Sequence, residues 1–257
     1  MSVDTELLGR IQMRGFAVVP NVLDSETVAV MKRELLRAAQ EDLAAWEGRD
    51  YPDAWMVHNL MVRHPVFAEF LENPVLHGYL SALLGDTCIL YAYTSSSMPP
   101  SGANFSNRVH VDSPRVIPGY WTNVGVMVAL DDYTTENGAT RYLPASFERT
   151  DPPSVDEFLA DSEEVFPRAG DAVVFNARTW HMGGRNTTDT ARHAVTMNVC
   201  RSYMRQRFDY PRLVGDETLD HLGDVGRRFL GFDVRMPASL EQYYLPEAER
   251  LYKAGQG

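Results

Sequence analysis

Short runs of β-branched and aromatic residues, separated by turn signals, occupy the middle of this chain, and stretches of helical period flank them. Near the N-terminus, FAVV at 16–19 predicts a short strand, which Pro20 stops. Val28, Met31, Leu35 and Ala38 then recur at near-helical spacing and predict an amphipathic helix. Ser25 is its expected N-cap, with Asp24 as the competing candidate. A second helical region is expected from about Val66 to Leu84, broken at Asn73-Pro74 and closed by Gly85. One apolar face on each suggests a helical layer against a sheet.

From about Thr87 the texture changes. TCILYAYTSS is β-rich, and a Ser/Pro/Gly/Asn loop, SSSMPPSGANFSN, follows it. RVHVDS, YWTNVGVMVALDD, ATRYLPAS, EEVF, AGDAVVFNA and RHAVTMNVCRSYM read as further β runs, with TTENGA and RAGDA as turns. This pattern predicts an antiparallel sandwich or jelly roll. SVDEFLAD near 154–161 is a helical interruption, and helical texture returns from about Asp216 in ETLDHLGDVGRRFLG and SLEQYYLPEAERLY. No internal repeat or long linker divides the chain, so the expected organisation is one domain over residues 1–257. In fold class it is mainly β with α additions: a sandwich or jelly-roll core at about 87–203 between N- and C-terminal helices.

Bulk properties narrow the partners. The net charge of −11 disfavours nucleic acid and anionic membranes, which need a basic face. No apolar run approaches the roughly 20 residues of a spanning helix, and the N-terminus lacks a signal-like apolar region. Cys88 and Cys200 stand apart in apolar surroundings, as buried thiols of a reducing, cytoplasmic compartment would.

The chemistry begins at His110 and Asp112. On a strand or its end, side chains at i and i+2 share a face, so an imidazole and a carboxylate can converge on one cation. A first-row metal with open positions needs a third ligand, and two histidines with one carboxylate would leave three sites for co-substrates. His58, His64, His77 and His221 lie in helical segments, which leaves His181 and His193 in β-rich sequence. Gly183 and Gly184 follow His181 and let the backbone pass close to a bound group. His193 should point opposite Arg192 on a regular strand.

The order H-x-D, then W-H-x-G-G after a Gly-Asp turn and strand, then an arginine eleven positions beyond that histidine, resembles the phytanoyl-CoA dioxygenase family of iron(II)- and 2-oxoglutarate-dependent oxygenases. The resemblance spans about residues 10–203 and implies that the core is a double-stranded β-helix (jelly-roll, cupin-like). GFAVVPNVLDSETVAVMKREL resembles the family's opening strand and helix. VMVALDDYTTENGATRYLPASF resembles its "ALDD…NG…PGSH" segment, with Ala145-Ser146-Phe147 in place of Gly-Ser-His. AGDAVVFNARTWHMGGRNTTDTARHAV resembles its distal histidine and arginine segment.

The resemblance implies that His110, Asp112 and His181 hold Fe(II) and that Arg192 pairs with the distal carboxylate of 2-oxoglutarate. A guanidinium fork suits that carboxylate. Many family members carry a hydroxyl residue two places after the distal histidine; here that place is Gly183, and Thr140, Thr196 or another hydroxyl would have to substitute. Because Asp112 is present, the resemblance implies an oxygenase and not a halogenase. The implied reaction couples O₂ and 2-oxoglutarate decarboxylation to hydroxylation, or another oxidation, of an aliphatic carbon of a small molecule. Bacterial natural-product biosynthesis is the implied setting.

Candidate substrate contacts are Tyr91, Trp55, His58, Arg115 and Trp180. Trp180 could equally pack the core, and Arg115 could equally be a surface charge. Arg201 and Tyr203 extend the Arg192 strand. The competing reading is a metal-dependent hydrolase or isomerase on a cupin-like barrel, which would not need Arg192. A non-catalytic jelly-roll binding module would not need the metal set. The expected assembly is a monomer or homodimer.

Overall fold

Asp4 caps the first helix by accepting from the backbone N–H groups of Glu6 and Leu7. In the computed structural model, which describes residues 3–47 and 55–256, this helix is α1 (Thr5–Arg14). Gly15, at φ +87°, closes it and turns the chain into β1 (Phe16–Val19). Asp24, not Ser25, caps α2 (Ser25–Ala45): its carboxylate accepts from Thr27 N at 2.7 Å, and Ser25 is the first helical residue. The break at Asn73-Pro74 separates α3 (Pro65–Phe70) from α4 (Pro74–Leu84), with Asn73 capping the second and Gly85 ending it.

The β-rich middle supplies β2 (Ile89–Met98), β3 (Asn123–Ala129), β4 (Thr140–Tyr142), then α5 (Val155–Asp161), β5 (Glu163–Val165), β6 (Ala172–Asn176), β7 (His181–Met182) and β8 (Arg192–Cys200). RVHVDS, expected as a strand, forms only an isolated bridge between His110 and His181. The C-terminal helical texture resolves into short pieces, α6 (Tyr210–Leu213), α7 (Asp216–Leu219), α8 (Asp224–Phe229) and α9 (Leu240–Tyr243).

Two antiparallel sheets result, one in the order β1-β6-β3-β8-β2 and one in the order β5-β4-β7. The alternation of side chains sorts the larger sheet into two faces. Val124, Val126, Val128, Val174, Val195 and Val199 pack with Met31, Leu35, Phe67 and Leu80 of the helices. The opposite face places Met127, Ala129, Val173, Phe175 and Ala194 against Tyr142 and Val165 of the smaller sheet. The fold is therefore mainly β with α additions, a jelly roll with helices on one outer face. No helix among the described residues is long and apolar enough to cross a membrane. Cys88 and Cys200 are buried and free, and burial pushes their thiols up to about 11 and about 12. Such thiols carry almost no thiolate at neutral pH and are unreactive.

Candidate metal centre and active site

His110 lies on a loop and His181 in β7. Each donates its backbone N–H to the other's carbonyl at 3.0 Å, which pins the loop to the strand. The next turn of the same loop is held by Ala177 O, which accepts from Asp112 N at 2.8 Å and Ser113 N at 3.0 Å. Ser113-Pro114-Arg115 turns the chain away: Ser113 is buried, its carbonyl accepts from Arg178, and Arg115 is exposed.

Potential ligand atoms of His110, Asp112 and His181 all lie within 4.8 Å of one another. Asp112 Oδ1 stands 3.7 Å from His110 Nε2 and 3.8 Å from His181 Nε2. Those separations are too long for hydrogen bonds. His110 Nδ1 donates to Arg108 O at 2.8 Å and His181 Nδ1 donates to Thr179 O at 3.0 Å. A carbonyl can only accept, so both Nδ1 atoms carry the proton and both Nε2 lone pairs face Asp112. Two imidazoles and a carboxylate arranged this way fit a divalent first-row metal. Burial, and then the like charge His181 would carry, hold the His110 imidazole down to about 4, so it is a free base at neutral pH.

Aromatic rings fix His181. Tyr142 stacks on it with centroids 5.5 Å apart and 15° between planes, and Phe175 meets it edge-on at 5.2 Å. Ser146 acts through the preceding residue: its Oγ donates to Leu143 O at 2.7 Å and accepts from Trp180 N at 3.0 Å.

The triad opens into a cavity of about 370 Å³ between the sheets. Arg192 lines it and is buried, with 3% of its surface exposed. Its guanidinium sits 3.8 Å from the Tyr133 ring centroid, and Nη1 donates to Gly138 O at 2.7 Å, while buried Nε has no hydrogen-bond partner. A buried cation with an unfilled donor, in a cavity wall, is a seat for an anion. The turn that offers Gly138 O requires glycine: φ is +84°, and a Cβ there would lie 2.6 Å from Gly184 O.

Thr140, Thr196 and Tyr91 line this cavity. Thr196 Oγ1 pairs with Thr94 Oγ1 at 2.8 Å, and Thr140 Oγ1 faces Met127 Sδ at 3.9 Å. Four expected substrate contacts lie outside the lining. Trp180 is buried with Leu143 and Phe158, the packing alternative. Arg115 points away on the exposed turn. Trp55 and His58 belong to a segment running beside β2, where Ser97 N donates to Trp55 O at 3.0 Å and His58 pairs with Thr94. From that segment Met56 reaches the cavity instead. His193 faces the other way from Arg192 and meets Ser97 Oγ at 2.8 Å.

Residues not singled out from the sequence also line the cavity, among them Met56, Phe105, Ser106, Asn198 and Arg207, with Tyr142 and Phe175 packed on His181. Period-2 alternation in β8 is the signal that could have found Asn198, two residues beyond Thr196.

A jelly roll whose cavity is lined by two histidines, a carboxylate and a buried arginine fits the class of non-haem metal oxygenases. Residues 11–194 match the phytanoyl-CoA dioxygenase (PhyH) family. An uncharacterized protein of Mycobacterium tuberculosis is 32% identical over 252 residues, covering 95% of this chain and 92% of that protein. A 2-aminoethylphosphonate dioxygenase from an uncultured bacterium is 26% identical over 88% of this chain and 91% of its own. Among solved structures, AviO1 of Streptomyces viridochromogenes superposes with a TM-score of 0.66 at 23% identity, covering 80% of this chain and 98% of AviO1. HygX of Streptomyces hygroscopicus, with nickel and 2-oxoglutarate bound, gives 0.61 at 18% identity over 80% and 90%. The chain belongs to the phytanoyl-CoA dioxygenase family. It is a 2-oxoglutarate-dependent dioxygenase, an oxidoreductase that uses Fe(II), 2-oxoglutarate and O₂.

Proposed function

We propose that His110, Asp112 and His181 are the iron ligands, that Arg192 binds the distal carboxylate of 2-oxoglutarate, and that the enzyme hydroxylates or otherwise oxidises an aliphatic carbon of a small molecule. The observation that carries this is the pairing, in one cavity, of the triad with the unfilled Nε donor of buried Arg192. A hydrolase or isomerase built on the same triad would have no use for that cation.

When bound, iron and 2-oxoglutarate supply the oxidising power, and the protein supplies geometry. Backbone carbonyls hold the Nδ1 protons of His110 and His181, which leaves Nε2 of each ring as the atom that binds the metal. Asp112 adds one negative charge, which offsets part of the metal's. Arg192, fixed by Gly138 O and the Tyr133 face, sets how far 2-oxoglutarate enters. Thr140 and Thr196 are polar neighbours of that co-substrate on the same inner face. The rest of the cavity, with Met56, Tyr91 and Phe105, receives the substrate next to the metal.

The direct test is Arg192→Ala. It should leave iron bound and weaken 2-oxoglutarate binding by about 2–4 kcal/mol, as loss of a buried charge partner does. Unchanged 2-oxoglutarate affinity would refute the role. We further take residues 1–257 as one catalytic domain acting in the cytoplasm as a monomer or homodimer. The setting we favour is bacterial natural-product biosynthesis, supported by Streptomyces proteins among those that share the fold.

A further inference from the structure

Two residues after His181, the chain has no side chain. The reason is visible in the loop hydrogen-bonded to it: a Cβ on Gly183 would lie 2.2 Å from Ser106 Oγ and 3.3 Å from Ser106 Cβ. A side chain at 183 and the hydroxyl of Ser106 are mutually exclusive. Ser106 comes from the polar loop after β2 and lines the cavity together with Arg192, Thr140 and the triad.

The contact is built. Gly183 N donates to Ser106 O at 2.9 Å, and Asn107 Nδ2 donates to Gly183 O at 2.7 Å, so the loop grips both polar groups of Gly183. Asn104 braces the loop from the other side. Its Oδ1 accepts from Ser106 N at 2.9 Å and Ser106 Oγ at 2.6 Å, and its Nδ2 donates to Ser97 O at 3.0 Å.

The location also follows from contacts. A Cβ on Gly183 would lie 3.2 Å from Met98 Cε, and Met98 is the register partner of Arg192. The neighbouring Gly184 runs against Gly138 and Ala139, and Gly138 O is the carbonyl that holds Arg192 Nη1. Ser106 Oγ therefore stands beside the wall that runs from His181 to Arg192.

We infer that Ser106 is a 2-oxoglutarate-binding residue, whose hydroxyl donates to the co-substrate between the metal and Arg192, in the space Gly183 vacates. The hydroxyl has one proton. Turning it from Asn104 Oδ1 toward a carboxylate leaves that oxygen still accepting from Ser106 N, so no buried acceptor is orphaned by the change. Gly183 and Ser106 then form a reciprocal pair: one position yields its side chain so that the other can deliver a hydroxyl.

This rests on the proposed placement of 2-oxoglutarate at Arg192, and the experiment separates the two. Calorimetric titration of 2-oxoglutarate into the Ni(II)-loaded full-length protein, which does not turn over, reads binding alone. Ser106→Ala should weaken binding about five- to twentyfold while nickel affinity is unchanged, as loss of a hydrogen bond to a charged group does. Gly183→Ser alone should also weaken it, because the new side chain meets Ser106. The double variant Ser106→Gly with Gly183→Ser moves the hydroxyl to position 183 and should return affinity to within about threefold of wild type, about 0.7 kcal/mol. Wild-type affinity in Ser106→Ala, or a double variant no tighter than Ser106→Gly alone, would overturn the inference. Loss of affinity in Arg192→Ala without any in Ser106→Ala would sink only the Ser106 role. No loss in Arg192→Ala would sink the placement itself.

Discussion

His110 and His181 exchange both backbone hydrogen bonds at 3.0 Å, and this single bridge sets their rings 4.2 Å apart with both Nε2 atoms facing Asp112. Main-chain hydrogen bonds thus fix the geometry of the proposed ligands. Single replacement of His110, Asp112 or His181 by alanine should therefore abolish tight metal binding with little loss of fold. Metal content after dialysis, read beside far-UV circular dichroism, checks this. A variant that retains stoichiometric metal would remove that residue from the ligand set.

Acid should destabilise the metal-free protein. Burial lowers His77, His110 and His193, and His110 is held down to about 4. The fold favours their neutral forms, while the unfolded chain takes up protons below about pH 6.5. Their stabilisation is complete above about pH 6.5 and is lost as pH falls through 6.5 towards 4. Melting temperatures of the metal-free protein should fall between about pH 7 and pH 5, and a flat or rising profile would contradict the assignment.

Ser146 holds His181 in place through Trp180. Ser146→Ala removes a donor from Leu143 O and an acceptor from Trp180 N, both in buried surroundings. A loss of about 1–3 kcal/mol in denaturant unfolding is expected, together with weaker metal binding. Unchanged values for both would show that Phe175 and Tyr142 position the ring unaided.

Ala145 sits at φ +55°, a left-handed conformation that costs a residue with a Cβ about 1–2 kcal/mol. The Gly-Ser-His pattern that this segment resembles has glycine there. Ala145→Gly should stabilise the protein by about 0.5–1 kcal/mol once the extra freedom of the unfolded glycine chain is subtracted. Chemical denaturation at constant m-value measures it.

Much of this site could be read from the sequence because its signals are local. The β-branched runs at 89–98, 123–129, 172–176 and 192–200 became strands, and the fold brings H-x-D and W-H-x-G-G together through the bridge between His110 and His181. Other features depended on tertiary contacts. RVHVDS reads as a strand yet pairs only through His110, because Ala177 O captures Asp112 and Ser113 instead of continuing a ladder. Asp24 won the cap over Ser25 by geometry that side-chain type alone does not decide. The helix α1 was not expected from its sequence, although Asp4 and Gly15 bracket it with cap chemistry. Trp180 precedes His181 but turns into the core with Phe158, and Ser106, on the loop that carries His110, meets Gly183 far away in sequence.

The central claim, an iron and 2-oxoglutarate site built by the triad and Arg192, is tested most directly by anaerobic absorption spectroscopy. Fe(II) and 2-oxoglutarate added together should produce a weak visible charge-transfer band in the wild-type protein and none in His181→Ala. A wild-type protein that binds Fe(II) and shows no new band on saturation with 2-oxoglutarate would contradict it.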